Sequence, residues 1–244
     1  MEFGLDYIII IIISLLASTI SGTIGMGGGI LLLAGMTPFF PPQILIPLHG
    51  VAQLGSNATR TVIHYKNINW KMMTLFGIGA LLGASIGSQF LIQIPENIYK
   101  IFMGLMIVGL TWMPKIKKSI IIPGKFFIIG SIATFLSLFV GATGPLIAPF
   151  FLKEKLSKEG IVATKAACQL FTHTFKIVTF VLIGFSFGPY WKLLIGMLIA
   201  VFIGNNLGKY LLGKISENKF RVAFKIVISL LSLRMIYSGL ISVV

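Results

Sequence analysis

Long apolar runs separated by short polar or basic connections divide this chain into ten segments. In the first half they cover residues 5–24, a short piece at 27–37, then 44–64, 72–93 and 98–113. The second half repeats the order with 126–140, a short piece at 143–152, then 161–181, 191–208 and 222–243. A helix crossing the hydrocarbon core needs about 20 apolar residues, which the long runs approach. The short pieces fall well below that length and predict either a re-entrant hairpin or part of a broken span. Two long runs also carry a polar stripe. His49, Gln53, Ser56, Asn57, Arg60 and His64 recur at helical spacing on one face, and Lys165, Gln169, Thr172, His173 and Lys176 do so in the second half. A polar face inside a membrane segment is expensive, so it is expected to face a pathway or the bundle interior.

The two halves align with each other. Gln53 and Gln169 stand 116 residues apart, as do Gly25 and Gly141, Leu54 and Leu170, Arg60 and Lys176, and Val62 and Val178. Further on the offset is 121, pairing Trp70 with Trp191, Gly83 and Gly87 with Gly204 and Gly208, and Glu96 with Glu217. One insertion of five residues reconciles the two registers. Duplication in a hydrophobic chain points to transporter architecture, with a site between the copies. The expected fold is an all-α polytopic membrane protein of two tandem repeats, residues 1–113 and 126–244, joined by a basic linker at 114–125.

Composition agrees. Of 244 residues, 56% are hydrophobic and only 11% charged, with a mean hydropathy of +0.98; soluble domains carry about a quarter charged residues. The first run follows Glu2 and Asp6 instead of a basic region, so it is expected to stay as a span and not to act as a signal peptide. The net charge of +14 would invite nucleic acid in a soluble protein. Here the cations lie between apolar segments, as the positive-inside rule requires, and nucleic-acid binding is not expected. Cys168 stands alone, which excludes an intrachain disulfide or a thiolate metal site. No cofactor or metal is called for.

Charge placement also discriminates between two topologies. Connections 66–71, 114–125, 153–165 and 209–225 hold fifteen cations, whereas 38–48, 93–100 and 182–192 hold only Lys100 and Lys192. If each half crossed four times, the repeats would be parallel and the basic connections would fall on both sides. If each short piece returns the chain, the fifteen gather on one side. The rule favours the second arrangement: inverted repeats of five segments, basic loops cytoplasmic, both termini outside, in the cell (inner) membrane.

Two constellations are candidates for the chemistry. Residues Gly25, Gly27, Gly28 and Gly29 interrupt the first half, and Thr143, Gly144 and Pro145 interrupt the second. Such breaks are poor helix interior and are tolerated at membrane depth only beside protein or a cavity. Helices restarting there would aim free N–H groups and a positive dipole end at an anion. The bland alternative is close packing by small residues. The stripes supply the rest: Gln53, about 15 Å along its helix at 1.5 Å per residue, and Gln169 would meet near the midplane. Asn57 and His173 belong to the same substrate-binding set. Arg60, Lys176, His49 and Lys165 would attract or gate an anion; snorkelling by the cations and hydrogen-bonded packing by the histidines are the ordinary alternatives. All six acids fall at segment ends or loops, leaving no intramembrane carboxylate to bind sodium or relay protons. The Gly83/Gly87 and Gly204/Gly208 pairs fit close helix contacts, with a homodimer seam as the lesser reading. Trp70, Trp112 and Trp191 sit at segment ends, as interfacial anchors do.

At the break from Gly25 to Gly29, the proline-rich loop after it, the stretch from Ser56 to Arg60 and the echo from Gly141 to Pro145, the chain resembles the sulfite exporter TauE/SafE family of membrane permeases. The resemblance spans nearly the whole chain. It implies a multi-spanning permease of the cell membrane handling sulfite, sulfonates or other sulfur-containing or organic anions. The second repeat departs from the first in lacking the triple glycine. The expected function is a secondary transporter of a small anion by alternating access. An anion channel, and a membrane-embedded enzyme or its accessory subunit, are the competing classes.

Overall fold

The computed structural model describes residues 4–24, 27–91, 95–112, 122–211 and 217–241, excepting the side chains of 24, 217–224 and 227. Ten helices follow one another there: α1 (Leu5–Ile24), α2 (Gly28–Met36), α3 (Pro42–Ile63), α4 (Trp70–Ser88), α5 (Glu96–Trp112), α6 (Lys125–Val140), α7 (Gly144–Phe151), α8 (Lys158–Leu182), α9 (Trp191–Leu211) and α10 (Glu217–Ile241). No strand occurs among the described residues. Local chemistry sets the starts. Asn69 accepts from Met72 N at 3.1 Å to open α4, and Ser157 accepts from Gly160 N at 3.0 Å to open α8. Pro41 and Pro42 lead into α3, where a missing N–H costs nothing. The ten predicted segments all appear as helices, α10 starting earlier than its apolar run and α4 ending sooner.

The surface is apolar, and the interior mixes an apolar core with buried polar stripes. Leu5, Ile78, Ile86, Ile199, Phe202 and Leu233 are exposed, while every member of the two stripes from His49 to Arg60 and from Lys165 to Lys176 is buried. That inversion suits a lipid environment. Three helices, around Leu5–Thr23, Trp70–Ser88 and Gly188–Leu211, are long and apolar enough to cross a membrane. Trp70, Trp112 and Trp191 stand exposed at helix ends.

Packing crosses between the halves. The most extensive contacts join α1 to α9 and α4 to α6, followed by α5 to α10 and α3 to α8. In the first two the backbones nearly touch: a Cβ on Gly79 or Gly83 would strike the carbonyls of Phe127 or Ser131, and one on Gly204 or Gly208 those of Leu15 or Thr19. Both pairs run parallel, since residue numbers rise together across the contact. The pairs α3–α8 and α5–α10 run antiparallel. Gly50 lies against Lys176 whereas Arg60 shares a cavity with Lys165, and Gly104 meets Ser232 whereas Gly239 meets Asn97.

Each short helix doubles back on its predecessor. Gly28 packs on Ala17 and Ser21, and Gly35 on Ile13, so α2 returns along α1. Phe151 at the end of α7 meets Phe126 at the start of α6, with ring centroids 5.0 Å apart, and Lys125 pairs with Glu154 beside them. Two of the basic connections lie together. Asn69 N donates to Thr164 Oγ1 at 2.9 Å, which sets the loop 66–69 and the start of α8 at one end of the bundle. At the other end the Phe40 and Tyr190 rings meet edge-on at 5.9 Å.

Candidate functional site

Two glycines with positive φ make the breaks. Gly27, at φ 96°, precedes α2, and Gly141, at φ 82°, ends α6; side-chain-bearing residues rarely adopt that region. Neither α2 nor α7 is capped by a side chain at its N-terminus. No side chain thus satisfies the first-turn N–H groups; that of Ile30 bonds the Gly27 carbonyl at 3.0 Å, and Pro145 has none to offer. Both N-termini open on one small cavity at the centre of the bundle, lined by Ser21, Gly27, Gly29, Ile30, His49, Gln53, Arg60, Ala142, Gly144, Pro145, Lys165, Gln169 and His173. The space is about 20 Å³, enough for roughly one water molecule.

The glutamines close each N-terminus. A Cβ on Gly29 would sit 3.1 Å from Gln53 Oε1, and one on Gly144 would sit 3.5 Å from Gln169 Nε2. The missing side chains at Gly29 and Gly144 let each amide lie over its helix start. His49 Nε2 bonds the Gly29 carbonyl at 2.8 Å, tying α3 to the first turn of α2. Arg60 is oriented by its own helix, donating through Nη2 to Asn57 Oδ1 at 2.7 Å and through Nε to the Ser56 carbonyl at 3.3 Å. Asn57 in turn donates to the Gln53 carbonyl at 2.8 Å. The side chains of α3 therefore form a chain of hydrogen bonds that aims a cation at the cavity.

Most sequence-predicted residues meet here: Gly27, Gly29, Gln53, Arg60, His49, Gly144, Pro145, Lys165, Gln169 and His173. Four do not line the cavity. Gly28 packs beneath α2 on Ala17 and Ser21, Thr143 occupies the N-cap position of α7, and Asn57 braces Arg60. Lys176 does not line the cavity; its Nζ donates to the Gly141 carbonyl at 2.6 Å, where α6 stops. A cation suits that place, since helix C-termini present unsatisfied carbonyls and a negative dipole end. Gly25 lies outside the described residues.

Two supporting residues escaped the sequence reading. Tyr99 Oη donates to the Leu138 carbonyl at 3.0 Å, satisfying another carbonyl near the end of α6. Asn205 is buried in the otherwise apolar α9 and donates to Ser56 Oγ at 2.9 Å and to the Val201 carbonyl at 2.8 Å. The amide pair Asn205–Asn206 between Gly204 and Gly208 was the available signal; nothing local marks Tyr99.

Chemically the arrangement offers donors and positive charge: two helix N-termini, two amides, a guanidinium and an ammonium. No carboxylate among the described residues lines it. Asp6, Glu96 and Glu159 are exposed, and Glu154 is committed to Lys125. Such a lining presents the groups that pair with an anion's oxygens.

Over 126 residues, covering 46% of each chain, the sequence is 28% identical to a protein of Bacillus subtilis (strain 168) named "Probable membrane transporter protein YunE". The matched stretch spans less than half of that relative's length. No solved structure matches the chain. The profile of a family of membrane permeases matches residues 10–235, nearly the whole chain. The protein belongs to the Sulfite exporter TauE/SafE family.

Proposed function

We propose that this membrane permease is a secondary transporter of a small anion, with sulfite or a sulfonate as the leading substrate class. The carrying observation is the convergence of two uncapped helix N-termini with Arg60 and Lys165 on one buried cavity without a carboxylate. The anion would rest near the midplane, held by first-turn N–H groups of α2 and α7 and by the amides of Gln53 and Gln169. Both glutamines lie about 16 Å from the start of their helices at 1.5 Å per residue, half-way through a bilayer core of about 30 Å.

The repeats are read as inverted. Supporting this, α3 and α8 run antiparallel, as do α5 and α10, where parallel four-span repeats would make both pairs parallel. The short helices also keep equivalent partners under exchange of halves. Helix α2 touches α1, α3 and α10, while α7 touches α6, α8 and α5. The reversals at α2 and α7 favour re-entrant hairpins, with the basic end cytoplasmic and the termini outside.

Room for about one water molecule means that an oxyanion enters only after the walls part, which favours a carrier over an open channel. The α1–α9 and α4–α6 contacts bind the two sequence halves together. The bodies that rock would therefore draw helices from both. Flux of radiolabelled sulfite into proteoliposomes, accelerated by sulfite on the far side, is the expected result. Gln53→Ala combined with Gln169→Ala should lower it at least tenfold; an unchanged flux removes the amides, and with them this site, from the mechanism.

A further inference from the structure

The cavity contains groups that an anion alone does not satisfy. His49 and His173 both line it and are essentially fully buried, 0% and 1% exposed, with ring centroids 6.3 Å apart. Among the described residues, three of their four ring nitrogens have no hydrogen-bond partner: His49 Nδ1, His173 Nδ1 and His173 Nε2. A neutral imidazole presents one N–H and one lone pair. The His49 N–H is fixed on Nε2, because that nitrogen faces the Gly29 carbonyl at 2.8 Å and a carbonyl only accepts. Its Nδ1 is therefore a bare acceptor. His173 adds one further acceptor and one donor.

Buried polar atoms left unpaired cost free energy, so they mark what a ligand must supply. Arg60, Lys165 and the helix N-termini take the oxygens of an anion, but two imidazole lone pairs ask for hydrogens. A fully ionised oxyanion has none to give, and its oxygens would repel the Nδ1 lone pair. The mismatch disappears if one proton joins the anion, carried either on an anion oxygen or on the His49 ring. The two forms differ only in which atom of the O···H···N contact the proton sits closer to.

Resting on the anion-carrier reading, we infer that the site binds its anion together with one proton, shared between the anion and His49 Nδ1, with His173 bridging to a second oxygen. Anion and proton then cross and leave together. The charged and titratable groups facing this pair are Arg60 on α3 and Lys165 and Lys176 on α8; α2 and α7 contribute none. No carboxylate competes for the role.

The test is sulfite binding to the detergent-solubilised full chain, followed by calorimetry in two buffers of different ionisation enthalpy. Between about pH 8 and 9 free sulfite has lost its proton, so uptake of one proton makes the apparent Kd rise about tenfold per pH unit. His49→Gln keeps an amide donor for the Gly29 carbonyl and removes the ring. The variant should take up markedly fewer protons and lose most of the pH slope. Sulfite binding by the wild type with buffer-independent heat and a flat Kd overturns the proton and leaves the carrier intact. Absence of any sulfite binding overturns both. A water donating to the two lone pairs would give the flat result.

Discussion

Replacing Lys176 by methionine separates structural from functional reasons for a buried cation. Its Nζ donates to the Gly141 carbonyl at 2.6 Å, its stem packs on Gly50, and the residue is 0% exposed. Methionine keeps the stem and removes the charge. The Gly141 carbonyl then loses its donor, at a cost of about 1–3 kcal/mol. Against this, holding an ammonium in the interior costs several kcal/mol per ion even after relaxation, and no described carboxylate stands beside it to offset that. The second effect equals or exceeds the first. Lys176→Met should therefore melt in detergent at the wild-type temperature or above. Transport should behave differently. Lys176 is one helical turn from His173, which lines the cavity. At a separation of about 8 Å and an effective dielectric near 20, a unit charge favours an anion by about 2 kcal/mol. The expected result is a KM for sulfite raised roughly 30-fold. A stable variant with unchanged KM, or one that melts many degrees lower, refutes the reasoning.

Three further outcomes follow from the packing and the topology. Gly83→Leu or Gly204→Leu drives a side chain into the backbone of Ser131 or Leu15 and should destabilise the protein by at least about 1–3 kcal/mol, read as a lower melting temperature. Cys168 is fully buried, so a thiol-reactive dye should report only unfolding; rapid labelling of the native protein would contradict the burial. Cysteines replacing Lys66 and Lys155 should be shielded from an impermeant maleimide in intact cells, whereas one replacing Ser186 should react. Labelling of Lys66→Cys together with Ser186→Cys would restore the parallel arrangement.

The helices were legible because hydropathy and length are local properties, and the stripes were legible because a period near 3.6 puts Gln53, Asn57 and Arg60 on one face. The reach of particular side chains was not. Arg60 and Lys176 align in sequence, yet one lines the cavity and the other ends on a backbone carbonyl. Guanidinium and ammonium differ in length and shape, and the end of α6 at Gly141 has positive φ that turns its carbonyl toward α8. Partnering across the bundle was equally hidden. The glycine pairs predicted close contacts, but that α9 would lie on α1 and α4 on α6 depends on how the whole chain closes. The cavity itself is a tertiary property: His49 and His173 are 124 residues apart and occupy non-equivalent positions in the two copies.

That non-equivalence bears on mechanism. Strictly symmetric inverted repeats would give an inward and an outward site of equal chemistry, and the carrier would show no intrinsic preference of direction. Here His49 corresponds to Lys165 and Asn57 to His173 at the offset of 116. The first copy thus contributes Arg60 and a bare acceptor at His49 Nδ1, while the second contributes Lys165 and a ring open at both nitrogens. A site of about 20 Å³ cannot admit an anion without opening. In the proposed carrier, binding energy from the anion would drive that opening and closing. Which face opens first would follow from which copy's groups the anion meets. Exchanging the pair, as His49→Lys together with Lys165→His, should leave the charge of the cavity unchanged while altering the ratio of inward to outward KM. An unchanged ratio in that double variant would show that direction is set by the gradient alone.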